Sequence, residues 1–122
     1  MSADPVSFCL EASATGNAKG ISDLFSQPDA PDPNLIHDEG GFTMLVIASD
    51  RGHAEVVSTL IQLKCDPNVA VGAAGTTPLM RAAMSGHGKV VDLLLQSGAD
   101  PTAANKNGDT GLIIPSESIL EK

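Results

Sequence analysis

The feature that most constrains this chain is an internal period. Gly41-Phe42-Thr43-Met44-Leu45 aligns with Gly75-Thr76-Thr77-Pro78-Leu79, Arg51-Gly52-His53 with Ser85-Gly86-His87, and Asp66-Pro67 with Asp100-Pro101, every pair 34 residues apart. The same shift carries Val56, Val57, Leu60 and Ile61 onto Val90, Val91, Leu94 and Leu95 without a gap. A period of this size belongs to stacked supersecondary units, each too small to bury its own apolar face. The chain is therefore read as an array whose core runs along the stack.

Each unit makes physical sense as two helices. Thr77 has the side chain to cap a helix N-terminus, and Pro78 sits at the first helical position, where a missing N–H costs nothing. Leu79, Ala82 and Ala83 then fall on one helical face, and Gly86 ends the helix. From Lys89 the spacing of Val90, Val91, Leu94 and Leu95 predicts a second amphipathic helix, closed by Gly98 in the position that favours a left-handed cap.

Outside the two clear units the pattern degrades. At an offset of 36, Ser7-Phe8-Cys9-Leu10 lies under Thr43 to Val46, Gly16 under Gly52, and Leu24-Phe25 under Leu60-Ile61, which makes a degenerate first unit. The following link, with Pro28, Pro31 and Pro33, reads as a stiff extended loop before Asp32-Pro33-Asn34 rejoins the phase of Asp66-Pro67-Asn68. Asn107-Gly108 reads as the tip of a fourth hairpin. Gly111 then stands in the place of Pro, and Pro115 cuts the helix short near Ile114.

Residues 75 to 100 resemble the ankyrin repeat, with its Gly-x-Thr-Pro-Leu, Ala-Ala, Gly-His, Val-Val, Leu-Leu-Leu and Gly-Ala-Asp. Residues 38 to 71 match less closely. Met44 takes the place of the Pro, Val46 and Met80 that of the His, and Lys64-Cys65 that of Gly98-Ala99. The resemblance implies an all-α ankyrin-repeat solenoid of stacked helix-turn-helix units with β-hairpin-like loops. Residues 1–122 then form a single domain, with a degenerate first repeat over 1–37, a second over 38–71, a third over 72–104 and a partial capping repeat over 105–122.

What the resemblance implies for function is a non-catalytic module that binds a partner protein through a concave face. That face is built from hairpin tips and the exposed side of each first helix. By match to the repeat, its variable positions are Glu39, Phe42, Asp50 and Arg51 in the second unit, and Ala73, Thr76, Arg81, Met84 and Ser85 in the third. Lys106 and Asp109 follow in the fourth. Phe42 is the single aromatic among them, in a hairpin expected to be exposed, and reads either as an anchor or as a ring folded back over the first repeat or over the loop from Asn68 to Gly75, which is one residue longer than its counterpart from Thr102 to Gly108. The layout is also similar to that of the small four-repeat ankyrin inhibitors of actin capping protein and of cyclin-dependent kinases, which adds a stoichiometric inhibitor or sequestering factor as an alternative. The apolar end Leu112-Ile113-Ile114 with Ile119-Leu120 adds another, a segment of a longer or self-associating solenoid.

Composition sets the limits. Against 7 basic side chains there are 15 acidic ones, a net charge of -8, and Trp and Tyr are absent. Such a field repels phosphate backbones, and three Phe offer no base-stacking platform, so nucleic acid is not the expected partner. The expected partner is a protein with a basic patch. Only 2% of the residues are aromatic, as suits helix pairs that approach closely over Ala48, Ala82 and Ala83. No apolar run approaches the roughly 18 residues of a membrane span, and the first residues lack a signal-peptide pattern; a soluble monomer of the cytoplasm, or of the nucleus, is the expectation.

No cofactor, metal or catalytic set is expected. His53 and His87 recur with the period at the inter-helix turn and read as structural, while His37 is isolated. Cys9 and Cys65 read as packed thiols, Cys65 in a small-residue slot. Gly86-His87-Gly88-Lys89 ends like a phosphate loop, but Ala83 and Val90 stand where that loop needs Gly and Ser or Thr. Asp29, Asp32, Asp38 and Glu39 lack the spacing of a calcium loop and read as a solvated rim.

Overall fold

A computed structural model describes residues 5–72 and 74–101. It contains three helix pairs: α1 (Pro5–Thr15) with α2 (Ala18–Phe25), α3 (Met44–Arg51) with α4 (Ala54–Gln62), and α5 (Pro78–Met84) with α6 (Gly88–Gln96). The first helices α1, α3 and α5 pack in one layer and the second helices α2, α4 and α6 in the other. Among the described residues there is no β-strand. The bridges His37–Thr43 and Val71–Thr76 close the hairpin-like loops between pairs. The all-α solenoid expected from the period is the fold observed, and the degenerate first unit forms a complete helix pair. Lys106, Asp109 and the apolar segments between Leu112 and Leu120 lie outside the described residues.

Local chemistry sets the helix ends. Thr43 and Thr77 accept through Oγ1 from the amides of Val46 (3.4 Å) and Met80 (3.2 Å), and Pro78 occupies the first turn of α5. Gly52, Gly86 and Gly98 are left-handed, as the cap pattern requires. The proline-rich link stays irregular except for one 3-10 turn, Pro33–Leu35, which forms because Asp32 caps it by accepting from the Asn34 amide at 2.9 Å.

The core is one continuous cluster that passes through all three described units. It takes in Cys9, Ala12 and Ile21, then Leu45, Ala48, Val57 and Leu60, then Leu79, Ala82, Val91 and Leu94. Two sets of polar contacts, repeated along the stack, fix its register. His53 donates from Nε2 to the Ala14 carbonyl (2.9 Å), and His87 to the Asp50 carbonyl (3.0 Å), one unit later in each case. In the loops, Asn34 donates to the Lys64 carbonyl and accepts from the Asp66 amide (3.3 and 2.8 Å). Asn68 repeats this with the Gly98 carbonyl and the Asp100 amide (3.1 and 2.7 Å). The asparagine of each Asp-Pro-Asn thus clamps the turn of the unit that follows.

Lys64 is the one non-glycine residue with a positive φ (71°) among the described residues, at the turn where the third unit has Gly98. Its side chain is exposed, so it gains nothing from packing that would offset the left-handed backbone. Lys64→Gly is expected to raise the unfolding free energy by up to about 1 kcal/mol, the relief of strain being reduced by the greater chain entropy of glycine when unfolded. Urea denaturation checks this, and a loss of stability would overturn it.

Candidate partner-binding face

The layer of first helices carries a recess of about 270 Å³. It is lined by Leu10 and Ala14 from α1, Asp38 and Phe42 from the hairpin-like loop, Val46, Ile47, Asp50 and Arg51 from α3, and Arg81 from α5. It arises because α1 supplies short or flexible side chains opposite the exposed edge of α3. Beside it, sharing Leu10 and Asp38, a shallower depression runs along α1 past Val6, Ser7, Glu39 and Gly40. Val6 at its outer end is 42% exposed.

The recess brings together four of the residues expected from the repeat, Phe42, Asp50, Arg51 and Arg81, and Glu39 stands in the adjoining depression. Met84 and Ser85 are exposed at the C-terminal end of α5, and Thr76, half-buried, pairs with Val71 through its backbone only. Ala73, Lys106 and Asp109 lie outside the described residues. The apolar lining from Leu10, Ala14 and Ile47 escapes sequence reasoning. The repeat aligns Leu10 and Ala14 with buried or charged positions, and only the placement of α1 against α3 turns them to the surface.

Of the two readings of Phe42, the structure takes the one in which the ring folds back over the lengthened loop, and the side chain is half-buried. Its ring lies over Gly72, where an added Cβ would come within 2.7 Å of Cε1, and the residue also lines the recess. Asp50 and Arg81 bind each other: Arg81 donates from Nη2 to Asp50 Oδ1 at 2.7 Å, and Ser85 Oγ donates to the same oxygen at 3.0 Å. These three residues join the second unit to the third, so substituting any of them perturbs the stack as well as the face.

The face is also ordered in charge. Asp38 uses Oδ1 to accept from the Gly40 and Phe42 amides, both at 2.9 Å, and with Glu39 makes the loop end acidic. At the other end of α3 stand Arg51 and Arg81, the only arginines in the sequence. Arg51 is exposed and has no partner among the described residues, and Arg81 Nε is buried without an acceptor.

Nothing else among the described residues assembles a reactive set. Burial pushes the Cys9 thiol up to about 11 and, with the Asp32 carboxylate adding to it, the Cys65 thiol up to about 12, so both stay protonated and unreactive at neutral pH. Among the described residues, no group of three or more His, Cys, Asp or Glu is placed to hold a metal, and no helix is long and apolar enough to cross a membrane.

Comparison with curated proteins gives no match. The family model described as Ankyrin repeats (3 copies) matches residues 9–105, from within α1 to beyond the end of α6, with the loops between the pairs. Ankyrin repeats are generally protein–protein interaction modules. With helix pairs stacked in two layers, glycine-capped turns and bridged loops under that match, the chain belongs to the ankyrin repeat family.

Proposed function

We propose that this protein is a non-catalytic binding module that engages a partner protein through the layer of first helices and the tips of the loops. The observation that carries this reading is the recess between α1 and α3. It is an apolar floor of Leu10, Ala14 and Ile47, with charged residues at both ends, on the side the family uses for recognition. Exposed Met84 extends the apolar surface by one unit. Among the described residues the second helices carry only a shallow depression between α2 and α4, lined, apart from Ala18, by the polar and charged Lys19, Ser22, Glu55, Ser58 and Thr59.

The partner is a protein with a basic patch, drawn by the net charge of -8 and seated against Asp38 and Glu39 at the loop end. Charge of this kind acts mostly on the association rate and makes binding weaken with salt. The test is affinity capture with two double variants. Glu39→Lys with Met84→Glu changes the first-helix face, and Lys19→Glu with Glu55→Lys changes the opposite one; all four side chains are exposed, so both variants keep the fold. Loss of the captured partner is expected from the first pair alone. Loss from the second pair alone would overturn the assignment.

A further inference from the structure

We infer that the recess takes an apolar side chain of the partner flanked by a carboxylate, and that the carboxylate pairs with Arg51 beside the Arg81–Asp50 ion pair. This rests on the reading of the first-helix face as the binding face and adds to it the chemistry of the anchor. On a chain with a net charge of -8, both arginines line the same recess. Two guanidiniums against the single Asp50 carboxylate leave one unit of positive charge at the C-terminal end of α3, and Arg51 is the exposed member with no partner among the described residues. Arg81 is held by Asp50 from one side, and its buried Nε lacks an acceptor, so a second anion nearby gains from a charge that Asp50 satisfies only in part.

Guanidinium chemistry favours a planar, two-oxygen acceptor. With Asp38 and Asp50 also lining the recess, a singly charged carboxylate fits better than a phosphate dianion, which those acids would repel. The distance between the two ends is set by α3. From Met44 to Arg51 the helix rises roughly 10 Å, about the length of three residues of extended chain, with Ile47 along the way. A partner segment can therefore set a basic residue against Asp38 and Glu39, an apolar one over Ile47, and an acidic one at Arg51. The net acidity of the chain selects the partner's overall sign, and the arginine end selects the register.

The probe is a displayed library of random unphosphorylated peptides selected on the purified chain, followed by titration of synthetic copies of the binders. The selected peptides are expected to carry Asp or Glu within a few positions of Leu, Ile or Phe, and Arg51→Gln is expected to weaken them by about tenfold. Selection on Arg51→Glu is expected to favour Lys or Arg at the same place. Ile47→Glu, with Leu10→Glu as a second variant in case the first unfolds, is expected to abolish binding. Binders lost on Ile47→Glu but unchanged by Arg51→Gln would overturn the carboxylate anchor and leave the face standing. Binders indifferent to both Ile47→Glu and Leu10→Glu would overturn the face as well. A library that yields no binder would also remove the anchor.

Discussion

Leu79→Ala is expected to lower the unfolding free energy by about 2–5 kcal/mol and the melting temperature by more than about 10 °C. Leu79 is 2% exposed and lies on α5, which packs against both α3 and α6, so its side chain belongs to the junction of two units. The size of the loss depends on whether the surroundings can close over the missing methyl groups. Here the neighbouring core positions Ala48, Ala82 and Ala83 are already alanines, with no rotamers that could swing into the space. Closure by helix movement is resisted by the His87 contact to the Asp50 carbonyl. Leu35→Ala is the control: that side chain is 72% exposed on the 3-10 turn, and its loss is expected to stay within about 0.5 kcal/mol. Urea titration of both variants, with the slope compared to the parent, separates a smaller free energy from a loss of cooperativity between units. A loss under about 1 kcal/mol for Leu79→Ala would mean that the third unit is not part of the cooperative stack.

The period alone made most of this architecture legible. Thr77 before Pro78, the glycines at 52, 86 and 98, and the apolar spacing after Lys89 each specify a local conformation, and each takes the conformation specified. The structural role expected of the recurring histidines is also found, with His53 and His87 each bonded to a carbonyl of the preceding unit. Repetition is informative here because each unit meets the same neighbours, so a residue required by stacking appears twice.

The recess was less legible for the complementary reason. Leu10 and Ile47 become neighbours only through the contact of α1 with α3, and the first unit is the one that departs furthest from the repeat. For Phe42 the sequence leaves two places open, an exposed anchor or a ring folded over the lengthened loop, and the ring takes the second, lying over Gly72. Asp50 and Arg81 are variable positions and so looked available to a partner. That they satisfy each other across the unit boundary follows from pairing distance, which the sequence leaves open.

Gly52→Ala is expected to cost about 2–4 kcal/mol, from two sources that can be separated. Gly52 has a φ of 79°, and an alanine there bears a left-handed penalty of about 1 kcal/mol. Its Cβ would also stand 2.5 Å from Nδ1 and 2.6 Å from Cε1 of the His87 ring, far inside van der Waals contact. The ring cannot simply turn aside, because its Nε2 is bonded to the Asp50 carbonyl at 3.0 Å; either that bond breaks or α3 and α5 move apart. Gly86 isolates the first source: its φ is 80°, yet nothing lies within 4 Å of an added Cβ, so Gly86→Ala is expected to lose only about 1 kcal/mol. Adding His87→Ala to Gly52→Ala removes the clash and completes a double-mutant cycle, whose interaction energy measures the contact directly. Equal losses for Gly52→Ala and Gly86→Ala would show that the ring is not seated over Gly52. The consequence reaches the binding face, since Asp50 holds His87 with its carbonyl and Arg81 with its carboxylate. Displacing the ring therefore pulls on the residue that sets the arginine end of the recess, and Gly52→Ala is expected to weaken peptide binding even at temperatures where the variant remains folded.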